Sequence, residues 1–119
     1  MPDLPSPTPT AGWSAPGAGA ILEISLGAIA ANFSLLNART GTATCAAVVK
    51  ADAYGLGADR VAPVLEQAGA KVFFVAHLEE GIRLRAHVSP TCRIFVLHGP
   101  MPGTEGEFTA HDLLPVLNS

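Results

Sequence analysis

Charge is scarce in this sequence: Asp, Glu, Lys and Arg make up 14% of the 119 residues, and Lys50 and Lys71 are the only lysines. A net charge of -3, with no cluster of Lys or Arg, leaves no electrostatic footprint for nucleic acid. Cysteine is equally sparse. Cys45 and Cys92 lie in apolar runs with no C-x-x-C pairing, which predicts buried free thiols in a reducing compartment rather than a disulfide framework. No apolar run is long enough to cross a membrane. The longest uncharged stretch, 4–22, is broken by Pro, Gly and Ser, and the N-terminus has no basic leader. The cytoplasm is therefore the expected compartment, with small molecules or proteins as partners and neither membrane nor nucleic acid.

Apolar patterning is what the chain has in quantity, and its length suits one domain. Residues 1–19 stand apart: they hold five of the ten prolines and too few large apolar residues to offset the entropy of ordering, so a flexible Pro/Gly/Ala-rich tail is expected. Ile21–Ile24 predicts a short strand. Ser25 then caps a predicted helix whose apolar positions Leu26, Ile29, Ala30, Phe33 and Leu36 follow the i, i+3, i+4, i+7 spacing, ending near Arg39-Thr40-Gly41.

Beyond that point one unit recurs: a short apolar run, a loop, a helical stretch. The runs are Cys45–Val49, Val72–Ala76, Ile94–Leu97 and Leu114–Leu117. Asp59 is expected to cap a helix carrying Val61, Val64, Leu65 and Ala68, with Pro63 near its first turn and Gly69 as its stop. Leu78–Ala86 reads as another, with Ile82 inward and Glu79 placed to pair with Arg83. Gly99–Asp112, with Pro100, Pro102, Gly103 and Gly106, reads mostly as loop. Continuous apolar strands alternating with helices define an α/β class with a parallel sheet dry on both faces, either a barrel or an open sheet. An eight-unit barrel takes about 250 residues. If this is a barrel, the chain holds its first half, and its end straight after an apolar strand suggests truncation.

Lys50 is the residue that breaks the pattern. It closes the run Cys45-Ala46-Ala47-Val48-Val49 with no polar residue between, and lysine is rarely buried unless paired or put to use. The plain reading is a side chain that snorkels to water. The chemical reading notes that loops after parallel strands build the sites of such folds. A partly desolvated amine there can attack an aldehyde to form a Schiff base, and can serve as a base once released. Its neighbours favour chemistry: Ala51 and Ala53 are small, Gly55 and Gly57 allow close approach of a ligand, and Tyr54 supplies a phenol four residues on.

The stretch Ala47-Val48-Val49-Lys50-Ala51-Asp52-Ala53-Tyr54-Gly55-Leu56-Gly57 closely resembles the pyridoxal-phosphate attachment motif of the alanine racemase family, A-V-V-K-A-N-A-Y-G-H-G. Nine of eleven positions match, the departures being Asp52 for Asn and Leu56 for His. Leu22–Leu26 with Asn32 is similar to the family's opening strand and helix, and Val75–Arg85 to its V-A-x-x-x-E-x-x-x-L-R segment. Ile94–Gly99 and Pro115–Ser119 continue in step, so that the resemblance covers 21–119.

It implies the first half of a (β/α)8 barrel, incomplete in this chain over 20–119, with the rest of the barrel and a C-terminal β domain to follow. It also implies an isomerase that interconverts L- and D-alanine for the cell wall, active as a homodimer when full length. Lys50 matches the catalytic lysine that binds pyridoxal 5'-phosphate and acts as the D-face base, and Tyr54 the tyrosine that reaches the cofactor phosphate. The second base, a tyrosine supplied across the dimer, and the arginines that face the cofactor ring lie outside the chain. The fragment alone is therefore expected to be inactive.

Other signals carry less. Gly55-x-Gly57 lacks the third glycine of a dinucleotide fingerprint, since residue 60 is Arg. His77 and His98 each follow a strand, on the same rim as Lys50, but without a third ligand at suitable spacing no metal site is expected. The rival reading is a non-catalytic barrel that carries pyridoxal phosphate on a strand-end lysine. The Tyr-Gly-x-Gly after Lys50 and the opening Ile21–Ile24 segment favour the enzyme.

Overall fold

The computed structural model describes residues 19–118, so the expected tail falls outside it save for Gly19. The chain first forms α1 (Leu26–Arg39), where Ser25 accepts the Ala28 N–H at 3.1 Å as its cap. Then come β1 (Ala47–Val48), the short turn α2 (Lys50–Tyr54) and α3 (Ala58–Gln67). Strand β2 (Val72–Val75), α4 (Leu78–Arg85), β3 (Arg93–Val96), α5 (Glu105–Ala110) and β4 (Leu114–Pro115) complete the order. The four strands lie side by side in chain order and all pair in parallel, with Ala47 opposite Phe73, Phe73 opposite Ile94, and Phe95 opposite Leu114. This is the predicted α/β class, an arc of barrel rather than a closed one.

Alternation along the strands sorts the side chains onto two faces. Phe73, Val75, Ile94 and Val96 are buried in one cluster with Val61 and Leu65 of α3 and Leu84 of α4, and Phe33 joins them from α1. The opposite face holds Val48, 46% exposed, and the half-buried rings of Phe74 and Phe95, stacked with centroids 5.0 Å apart. The expectation that both faces are dry is thus met on the helix side alone, because an open sheet of four strands has no further strands to close over the other.

Several local expectations change in three dimensions. Ile21–Ile24 forms no strand: the segment finds no ladder partner among the described residues, and Leu22 stays 74% exposed. Leu36 points outward instead of into the core. Asp59 does not cap α3 but lies in its first turn; the cap position is Gly57, which has no side chain to offer, and Pro63 falls inside the helix beyond its first turn. Gly69, at φ +112°, does stop it. The crossover 99–112 folds a six-residue helix despite its prolines and glycines, because Phe108 anchors it in the core and Thr104 ties its entry to Met101 at 2.6 Å. Glu79 and Arg83 form no ion pair; among the described residues the pair within 4.0 Å is His111–Glu107.

Both cysteines are free, as expected, but Cys92 alone is buried while Cys45 is half-exposed. Burial, together with the charge and hydrogen bond of Glu66, pushes the Cys92 thiol up, against smaller opposing effects of Lys71 and the Ser89 N–H. No helix among the described residues is long and apolar enough to cross a membrane.

Candidate active site

Strand β1 ends by pairing with β2, where the Val49 N–H donates to the Phe74 carbonyl at 2.9 Å, and Lys50 follows at once. The side chain therefore emerges on the rim formed by the C-terminal ends of the strands, half-buried. From there the backbone turns the unusual way. Ala51, Asp52 and Ala53 hold φ/ψ of 52/46°, 56/47° and 56/48°, and Tyr54 follows at φ 56°. These are left-handed helical values, closed by hydrogen bonds from the Ala53 N–H to the Val49 carbonyl and from the Gly55 N–H to the Ala51 carbonyl at 2.9 and 2.8 Å.

Each non-glycine residue in this conformation costs about 1–2 kcal/mol, roughly 4–8 kcal/mol over the four. Strain of this kind persists where the surroundings over-determine it. One helical turn separates Lys50 from Tyr54, so the two side chains meet, with the amine Nζ 6.0 Å from the centre of the phenol ring. Gly55 and Gly57, at φ +86° and +95°, then carry the chain out of the turn into α3. Sequence spacing brought the same two residues together; the left-handed winding that does so was not visible in it.

Two further side chains, neither assigned a role from the sequence, hold the turn. Asp52, which stands where the racemase motif has Asn, accepts the Ala58 N–H through Oδ1 at 2.9 Å and supplies the first turn of α3 with the acceptor expected of Asp59. Its own carbonyl takes the Gly57 N–H at 2.9 Å. Glu80, in the first turn of α4, accepts the Ala76 and His77 N–H groups through Oε1, both at 2.9 Å, and the Ala51 N–H through Oε2. Burial works against its charged form, but the hydrogen bonds from the His77, Ala51 and Ala76 N–H groups, helped by the nearby Asp52 N–H, outweigh it and hold the carboxyl below its ordinary value. The signal for Glu80 was present as the Glu of the V-A-x-x-x-E segment and as the third helical residue of a capping box. It was obscured because His77, not Ser or Thr, occupies the cap.

His77 and His98, at the ends of β2 and β3, do come together. Their rings stack at 4.3 Å and 8°, with His98 Nδ1 2.8 Å from the Ala76 carbonyl. Among the described residues no three His, Cys, Asp or Glu side chains group as metal ligands. A cleft of about 730 Å³ opens beside the turn, lined by Asp52, Asp59, Glu80, Arg83 and His87 among others. Lys50 and Tyr54 do not line it, so it lies apart from the amine and phenol.

A primary amine and a phenol on one rim, next to glycines that leave room for a ligand, fit an aldehyde that also bears a phosphate. Fold and site together define a parallel α/β barrel segment of the kind that carries a strand-end lysine. The model of the family described as "Alanine racemase, N-terminal domain" matches residues 24–119, and the chain belongs to that family. It is 50% identical over 102 residues to the alanine racemase of Brucella abortus, covering 86% of this chain and 26% of that protein. To the catabolic alanine racemase of Mesorhizobium japonicum it is 51% identical over 110 residues, covering 91% and 29%. The alanine racemase of Bartonella henselae, solved with covalently bound pyridoxal phosphate, superposes with a TM-score of 0.78 at 42% identity, over 81% of this chain and 27% of that one. The chain thus spans about a quarter of the length of the relatives it matches.

Proposed function

We propose that this chain is the N-terminal part of a pyridoxal-phosphate-dependent alanine racemase, with Lys50 as the lysine that holds the cofactor and as the D-face base. The observation that carries the reading is the left-handed turn after β1, which presents the Lys50 amine and the Tyr54 phenol side by side on the strand-end rim. Bound there, pyridoxal phosphate supplies an electron sink that makes the α-proton of an amino acid acidic.

The chain's own residues then have separate duties. Lys50 Nζ anchors the cofactor and, when freed, takes or returns a proton at Cα on one face. The Tyr54 hydroxyl donates to the phosphate. Inversion needs a second proton donor on the opposite face, which the family resemblance assigns to a tyrosine of a C-terminal β domain reaching across a homodimer. In this reading residues 20–119 are the first half of the barrel, and the product is D-alanine for the cell wall, made in the cytoplasm.

Borohydride reduction of the full-length protein, followed by peptide mass mapping, should place a pyridoxyl adduct on the peptide containing Lys50. Lys50→Arg keeps the charge without the nucleophile and should abolish racemisation. An adduct on Lys71 would overturn the assignment. An adduct on Lys50 in a full-length protein that racemises no amino acid would favour the non-catalytic carrier.

A further inference from the structure

The turn that carries Lys50 is held from outside itself, and the holding group is specific in where it attaches. The Ala51 N–H belongs to the peptide unit that joins Lys50 to Ala51, so fixing that N–H fixes the ψ angle of Lys50 and the direction in which its side chain leaves the backbone. That N–H donates to Oε2 of Glu80, a residue 29 positions further along the chain. The other oxygen of the same carboxylate is held by two N–H groups, those of Ala76 and His77, immediately after β2. One side chain therefore bridges two adjacent strand ends, and one of its two attachment points is the lysine's own peptide plane.

We propose that Glu80 is the positioning residue for Lys50: its carboxylate locks the Lys50–Ala51 peptide to the end of β2 and so aims the amine. The proposal rests on the reading of Lys50 as the cofactor lysine. Both oxygens must accept for the bridge to close, because all three of its partners are donors. Glutamine matches glutamate in shape but offers one accepting oxygen and one donating NH2. In Glu80→Gln the oxygen satisfies the two donors at the start of α4, the NH2 faces the Ala51 N–H donor to donor, and the turn is released while α4 keeps its start. Aspartate retains the charge and falls one methylene short of the turn.

The test compares the full-length protein with its Glu80→Gln variant and with Glu79→Gln, which alters the exposed neighbour on the same helix. Hydrogen exchange read by mass spectrometry on the cofactor-free proteins should show the peptide containing Ala51 exchanging about 10- to 100-fold faster in Glu80→Gln, the loss expected for a hydrogen bond to a charged group. The peptide spanning 78–86 should be unchanged, and Glu79→Gln should change neither. With pyridoxal phosphate and alanine, kcat of Glu80→Gln should fall at least about tenfold with a smaller change in KM, since the aim of the amine, not substrate binding, is disturbed. Where Glu80→Gln does not accumulate as folded protein, Glu80→Asp repeats both measurements. Unchanged exchange at Ala51, or unchanged kcat with the borohydride adduct still on Lys50, overturns the positioning role and leaves the lysine assignment standing. An adduct on another lysine removes the assignment and the proposal with it, whatever the exchange shows.

Discussion

Tyr54 is the only tyrosine in the chain, and it sits 62% exposed on the rim, free to meet a ligand rather than to fill the core. In the proposed role its hydroxyl donates one hydrogen bond to a charged phosphate, worth about 1.5–3 kcal/mol. Tyr54→Phe should therefore weaken pyridoxal-phosphate binding roughly 10- to 100-fold, measured by cofactor titration of the apo-enzyme, while turnover at saturating cofactor largely survives. A loss of several orders of magnitude at saturation would mean that the phenol moves protons.

Glu80 makes a second prediction at the same scale, because its carboxyl lies below its ordinary value of 4.5 in the folded state. A depressed acid adds stability that is complete above the unfolded value and disappears as the pH falls through the folded one. At neutral pH Glu80→Gln should thus be less stable to urea than the parent protein, and the gap should narrow once the pH drops below 4.5. A gap that stays constant into acid would show that the charge of Glu80 is not what stabilises.

At the level of elements, the joints matter more than the strands themselves. Gly99 leaves β3 at φ +71°, and a Cβ placed on it would stand 2.6 Å from the Val116 carbonyl oxygen, which is backbone and cannot swing aside. Gly99→Ala should cost about 2–4 kcal/mol, combining the left-handed penalty with overpacking. The cost should appear as a lower Tm, with faster hydrogen exchange concentrated in β3 and β4. A second joint is Arg85, whose guanidinium reaches the carbonyls of Ser89, Cys92, His111 and Asp112 and so ties the end of α4 to the loops before β3 and β4. These bonds explain why the α5 crossover is ordered although its own sequence argues for loop.

For the whole molecule, the decisive feature is how much apolar surface the arc leaves open. Ile21, Leu22, Ile24, Leu35, Leu36, Val48 and Leu117 are all exposed, and the outer edges of β1 and β4 have no strand beside them among the described residues. Expressed by itself, the 119-residue chain should associate rather than run as a monomer, and should not racemise alanine. Size-exclusion chromatography and a racemisation assay check the two halves. A sharp monomer peak would contradict the open-arc reading, and ordinary racemase turnover would show that a second base lies within these residues.

The lysine motif, the four strand runs with α1 ahead of them and α3 and α4 between them, the α1 cap at Ser25 and the stop at Gly69 were all legible in the sequence, because each depends on residues within a turn or two of one another. Their physics is periodicity, capping and the conformational freedom of glycine. What only the tertiary structure decided acts across longer distances or against local preference. Ala51, Asp52, Ala53 and Tyr54 disfavour a left-handed turn individually, so nothing in their identities announces one. It is held by Glu80, 29 residues from Ala51, by the cap that Asp52 gives α3, and by the buried Ala53. The same rule undid the expected strand at Ile21–Ile24: its pattern is right, but a strand is completed by a neighbour's hydrogen bonds, and among the described residues none comes to it.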